Sequence, residues 1–304
     1  MTQPLRAFFR LARPVFLAGG IVGVALGTAL AVFVARRSPD WGAFFTALLA
    51  VVALQLMTNL ANDYFDHESD VRAFRTAFSG GSGVLVEGAL APRVALGTAQ
   101  ISLALGLAAV ALFVAQGRMA AAGLATAIAF LAWFYSSPPL RLLARGLGEV
   151  NTALIVAVLV PLLAFVAQGL PVGALALAAT LPGGAALFAM MLCVEAPDIA
   201  SDTAGQKRNL LVRLGRAALV PLGIGALCAV YLGVALAVAA GAPPALALLE
   251  ALTLPLAFGL AIALKDAATD SAGDAALAAR GVAFSFLVGF EGLLGYLAPL
   301  PWRI

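Results

Sequence analysis

Residues 42–70 read GAFFTALLAVVALQLMTNLANDYFDHESD. The stretch opens as an apolar run and closes in acid. About 20 apolar residues cover the hydrocarbon core of a bilayer, and the run over 42–65 reaches that length before its acids gather. On a helix, Asn62, Asp66 and Asp70 fall on one face at i, i+4 and i+8. Acids at the edge of hydrocarbon are costly to keep, so a cluster there marks function. A second cluster closes another apolar run: Glu195-Ala196-Pro197-Asp198-Ile199-Ala200-Ser201-Asp202, with Asp198 and Asp202 again four apart.

Composition agrees. The 304 residues are 63% hydrophobic and 11% charged, with a mean hydropathy of +1.04. A soluble domain carries roughly 25% charged residues. The apolar runs are long and do not alternate with polar residues, which excludes a β-barrel reading. The expected architecture is all-α: one domain over 1–304, a polytopic bundle of nine transmembrane helices. The spans fall at 15–36, 42–65, 94–116, 119–137, 148–168, 172–196, 217–240, 244–264 and 281–299. The first is too long for the apolar core of a signal peptide, and no cleavable signal is expected.

Fourteen of the 18 Lys and Arg fall on one side of this topology, including Arg6, Arg10, Arg13, Lys207 and Arg208. The positive-inside rule then puts the N-terminus in the cytoplasm and the C-terminus outside. The expected location is the prokaryotic inner membrane, with lipid as surroundings. The net charge of +3 reflects this bias and implies no nucleic-acid partner. Cys193 and Cys228 sit in apolar spans and read as small hydrophobes. A lone His67 cannot build a metal site.

The two acidic clusters follow the second and sixth spans, so both open to the cytoplasmic side of one central cavity. Like charges held so close repel. A hard cation such as Mg²⁺, which takes a few carboxylates plus phosphate oxygens, holds them at least cost. The candidate ligands are Asn62, Asp66, Asp70, Asp198 and Asp202. Arg72, Arg141, Lys207 and Arg208 stand close by in sequence, and cations beside such a site suit a diphosphate.

Taken together, the residues resemble the UbiA superfamily of intramembrane prenyltransferases. The likeness rests on Asn-x-x-x-Asp-x-x-x-Asp at 62–70, Asp-x-x-x-Asp at 198–202, Lys207 downstream and Arg13-Pro14 near the N-terminus. Within it, Asn62-Asp63-Tyr64-Phe65-Asp66, Gly80-Gly81-Ser82-Gly83-Val84-Leu85, Tyr135-Ser136-Ser137-Pro138-Pro139-Leu140-Arg141 and Gly146-Leu147-Gly148-Glu149 are similar to the menaquinone-type branch acting on 1,4-dihydroxy-2-naphthoate. That branch often has Asn where Val194 and Glu195 stand here. Its Gly-Lys-Arg-Thr reads Gln206-Lys207-Arg208-Asn209.

The resemblance implies Mg²⁺-dependent transfer, with two ions, of a polyprenyl group from its diphosphate to a small aromatic acceptor. Asp66, Asp70, Asp198 and Asp202 would carry the catalysis. Asn62, Arg72, Tyr135, Arg141, Lys207 and Arg208 would meet the diphosphate. Glu195 has two readings: a base that takes the ring proton, or a further carboxylate beside the metal. Two rival functions are a terpene cyclase of the same superfamily, in which an internal alkene traps the cation, and a cation-coupled transporter. Transporters hold their ions near the midplane, whereas these acids sit at one face.

Overall fold

The computed structural model describes residues 3–71, 78 and 80–299. Every element among them is helical. The helices are α1 (Gln3–Ala12), α2 (Pro14–Ala35), α3 (Trp41–Asp70), α4 (Pro92–Ala115), α5 (Met119–Trp133), α6 (Gly148–Ala167), α7 (Ala174–Ala204), the short α8 (Leu210–Leu214), α9 (Arg216–Ala239), α10 (Pro244–Ala267) and α11 (Asp274–Leu297). Eight of them are long and apolar enough to cross a membrane, and the 15-residue α5 is the shorter ninth. Proline in the first turn starts α2, α4 and α10, where its missing N–H costs nothing.

Four boundaries differ from the sequence reading by four residues or more; the largest is the end of α7, at Ala204 where 196 was expected. The expected span 119–137 stops at Trp133, because Ser137-Pro138-Pro139 follows and a residue before proline avoids the helical region. The helix α3 runs on past 65 to Asp70, so the first acidic cluster is itself helical. The last span begins at Asp274, seven residues ahead of 281.

The helices form a ring. One side of it holds α2 to α6, the other α7 and α9 to α11; one apolar core lies within the second side, and a larger one centred on the first also takes in Ala176, Val234, Leu246 and Tyr296. The sides meet where α11 packs on α2 and where α6 meets α7. Of the spans, α6 and α7 are the most enclosed, with 61% of an 18-residue stretch of each buried, against 28% for α4 and α10. Lipid tails are as apolar as leucine, so close backbone packing must hold such helices together. Gly27 shows how close: a Cβ there would lie 2.0 Å from the Pro161 carbonyl oxygen on α6.

Polar staples close both ends. At the end remote from the acidic clusters, Asp40 caps α3 by accepting from the Ala43 N–H (3.0 Å) and pairs with Arg118. Gln168 donates to the Asp40 carbonyl at 3.1 Å and accepts from the Asp40 N–H at 2.7 Å. At the acidic end, α1 packs against α3 and α2. Arg10 makes a fork to Glu87 with both contacts at 2.8 Å.

Candidate active site

Within α6, residues Leu154–Leu159 form a π-helical turn, and the Val160 N–H reaches back five residues to the Ile155 carbonyl. It lies just before Pro161, which offers no N–H and would crowd an α-helical turn. The wider turn brings Asn151, Thr152, Ile155, Val156 and Val160 to one cavity of about 280 Å³.

That cavity is polar at one end and apolar at the other. Asn62, Asp66, Asp70, Asp198, Asp202, Glu195 and Lys207 line the first part; Val22, Leu26, Val51, Leu54 and Pro161 line the second. Val51 lies nineteen residues before Asp70 on α3, so the cavity's lining runs about 28 Å along the helix.

The acids come together as the spacing predicts. Asn62 donates to Asp66 Oδ2 at 2.9 Å and to Ser136 Oγ at 2.9 Å. Lys207 Nζ sits 3.2 Å from Asp66 Oδ2, 3.2 Å from Asp70 Oδ1 and 3.7 Å from Asp202 Oδ1. One ammonium therefore ties the two clusters together. Burial pushes the Asp70 carboxyl above the usual aspartate range, against the pull of Lys207. Burial alone would lower the Lys207 pKa, but the charges of Asp66, Asp70 and Asp202 together hold it above its ordinary value.

Backbone around the acids is fitted to them. The Gly80 N–H donates to Asp198 Oδ2 at 3.1 Å. Gly81 has φ +72°, and a Cβ on it would lie 2.3 Å from Asp70 Oδ2. Asp198 Oδ1 is buried and has no partner. Asn209 donates to Asp202 Oδ2 at 2.8 Å while capping α8 through the Val212 N–H. The buried Glu149 accepts from the Leu210 N–H at 2.6 Å and lies against Glu195. Glu195 is buried, faces the cavity, and both its carboxyl oxygens lack a partner. Tyr135 also lines the cavity, and burial raises its hydroxyl well above the ordinary range, with Glu195 adding to the effect.

Other expected contacts fall elsewhere. Arg141 and Arg208 are exposed and do not line the cavity. Local sequence put them near the acids, but their side chains leave the fold outward. Arg72 lies outside the described residues. His67 turns to the Tyr64 carbonyl at 2.7 Å. Several residues were missed. Asp63, on the other face of α3, pairs with Arg13 and accepts from Ser82, so it ties the chain before α2 to the glycine-rich loop. The quoted motifs contained Arg13, Asp63 and Ser82, but nothing local marked them as mutual partners.

Could a divalent cation be held here? Among the described residues, no three of His, Cys, Asp and Glu converge to enclose an ion by themselves. Mg²⁺ does not need such a cage, since it commonly takes one or two carboxylates with water and substrate phosphate. The two acid pairs and the unpartnered Asp198 Oδ1 fit that mode.

A helical membrane bundle with acid pairs over a half-apolar cavity has the build of an enzyme for substrates with charged heads and apolar tails. The chain belongs to the UbiA prenyltransferase family, whose profile matches residues 22–288. It is a multi-pass membrane prenyltransferase. Over 213 residues it is 25% identical to the 1,4-dihydroxy-2-naphthoate octaprenyltransferase of Bacillus subtilis (strain 168), covering 70% of this chain and 67% of that protein. Its fold is similar to that of a digeranylgeranylglyceryl phosphate synthase, with TM-score 0.67 and 14% identity over 98% of this chain and 100% of the other. It is equally similar to a UbiA homologue from Archaeoglobus fulgidus bound to GPP and Mg²⁺, with TM-score 0.67 and 16% identity over 96% and 99% of the two chains. At these identities the structural likeness is one of fold.

Proposed function

We propose that this enzyme, acting as one unit over 1–304, transfers a polyprenyl group from its allylic diphosphate to a small aromatic acceptor. The observation that carries the reading is the cavity: Asp66, Asp70, Asp198, Asp202 and Lys207 at one end, an apolar channel beyond them. The A. fulgidus homologue, bound to GPP and Mg²⁺, supports the choice of donor.

In this reading the apolar channel takes the prenyl chain and the polar end takes the diphosphate. Asn62, Asp66, Asp70, Asp198 and Asp202 would hold Mg²⁺, two ions in this reading, together with the substrate's phosphate oxygens. The metal, once bound, offsets charge on the departing diphosphate. Lys207 turns its ammonium from the carboxylates to the phosphate oxygens. The allylic C–O bond breaks, its electrons leaving with the diphosphate. The apolar walls keep water from the resulting cation. An aromatic carbon attacks it, a C–C bond forms, and the ring sheds a proton or a carboxyl group.

Glu195 stands three residues before Asp198 and faces the cavity beside the Glu149 carboxyl. It takes the ring proton in this scheme. The acceptor reading leans on the B. subtilis relative, so 1,4-dihydroxy-2-naphthoate is the first to try. The excess of Lys and Arg places the acidic end in the cytoplasm, where soluble substrates arrive.

The test is direct. Membranes holding the enzyme are incubated with geranylgeranyl diphosphate, Mg²⁺ and a panel of aromatic acceptors, and products are read by mass spectrometry. A prenylated aromatic is expected. Diphosphate release with only cyclic hydrocarbon as product would overturn the reading.

A further inference from the structure

A second set of acids lies at the other end of the bundle. Glu250 is 1% exposed and neither of its carboxyl oxygens has a partner. It stands six residues into α10, and Glu291 stands six residues from the end of α11, so both sit about 9 Å inside the helix ends. The charge acting on Glu250 is that of Glu291, whose Oε2 is also buried and unpartnered. The Glu250 carboxyl reaches α11 next to Glu291 in sequence, since a Cβ on Gly292 would lie 3.7 Å from Glu250 Oε1.

Hydroxyls surround the pair. Tyr296 is 1% exposed, its hydroxyl has no partner, and Glu250 is the charge that acts on it. Tyr231 meets Thr253 Oγ1 at 2.9 Å, and that oxygen donates to the Glu250 carbonyl at 2.7 Å. Among the described residues, no Lys or Arg forms an ion pair with either glutamate. None of these side chains lines the cavity of the acid pairs.

Carboxyls in such a place are costly unless something compensates them. We propose that Glu250 and Glu291, with the Tyr296 hydroxyl, bind one hard divalent cation and so pin α10 to α11. A divalent ion matches the charge of two carboxylates, and an all-oxygen set suits Ca²⁺ or Mg²⁺. The buried, unpartnered oxygens of Glu250 and Tyr296 are the ligands left open to it.

The test uses the purified full chain, stripped with chelator, without prenyl diphosphate and at fixed ionic strength. Mn²⁺ binding is counted by electron paramagnetic resonance, and thermal unfolding is followed as Ca²⁺ or Mg²⁺ is added. A saturable site that raises the melting temperature is expected, and it persists when Asp66, Asp70, Asp198 and Asp202 are all changed to Asn. Glu250→Gln abolishes it, and Glu291→Gln weakens it by at least about tenfold. In chelator, Glu250→Gln melts no lower than the wild type, because a buried charge has gone. Should Glu250→Gln fail to fold, Glu291→Gln carries the test. An unchanged site in Glu291→Gln, or flat melting curves in the fourfold Asp66/Asp70/Asp198/Asp202 variant, overturns the proposal and leaves the pair as protonated acids.

Discussion

Lys207 Nζ lies 3.2 Å from Asp70 Oδ1, although 137 residues separate them in the chain. That contact joins the helix α3 to the loop after α7. Replacing Lys207 with Met leaves Asp66, Asp70 and Asp202 without their shared counter-charge. Removing one partner of a buried ion pair costs about 3 kcal/mol or more. The variant is expected to melt well below wild type at pH 7 and to bind prenyl diphosphate more weakly. The gap narrows at lower pH, since Asp70, already pushed up by burial, takes a proton and needs no partner. A gap that widens on acidification would contradict this.

Chelation should abolish turnover, and Mg²⁺ or Mn²⁺ should restore it. Asp66→Ala, Asp70→Ala, Asp198→Ala and Asp202→Ala should each lower kcat by at least about 10²-fold, the scale of losing one strong transition-state contact. Each variant is checked for insertion and folding by its melting curve. Full turnover in a chelated sample would sink the metal reading.

Glu195→Gln keeps the shape of the side chain and removes the base. Diphosphate release and prenylated product are measured separately. Continued release with product formation cut by about 10²-fold or more fits the base role. Loss of both together assigns Glu195 to the metal side instead.

Asp40 gives a prediction about stability alone. The Ala43 N–H, helped by Arg118, holds its carboxyl below the usual aspartate range against the opposing effect of burial. A lowered pKa means stability that is present above about pH 4 and lost as pH falls through the lowered value. Asp40→Ala should cost about 1 kcal/mol at pH 7, the usual price of an N-cap. Asp40→Asn keeps the cap and should lose the acid-side dependence. Melting curves from pH 7 to pH 3 compare the three proteins.

Gly27→Ala should destabilise by about 1–3 kcal/mol, the range for overpacking. The added methyl would lie 2.0 Å from a backbone oxygen that cannot swing aside. A melting temperature equal to wild type would show that α2 and α6 can separate at little cost.

Much of this was legible in the sequence because the signals are local. Long apolar runs give the spans, and the four-residue spacing of Asn62, Asp66 and Asp70 gives one helix face. Residues whose role depends on distant partners were not legible. Glu149 reaches the N-terminus of α8, and Asp63 reaches Arg13, across 61 and 50 residues respectively. Arg141 and Arg208 erred the other way: sequence neighbourhood does not fix where a long side chain points. The polar cluster around Glu250 was passed over because a single acid in an apolar run says nothing about a second acid on another helix.

The turn over Leu154–Leu159 holds one residue more than a regular helix would use. Each residue of an α-helix advances the face by about 100°. Deleting one residue there would return α6 to even winding but swing everything on one side of the cut relative to the other. Asn151 and Thr152 could then no longer share a wall of the cavity with Val160 and Pro161. The insertion acts as a coupling between two registers, so the lengths of the two halves of α6 cannot drift independently as the sequence diverges.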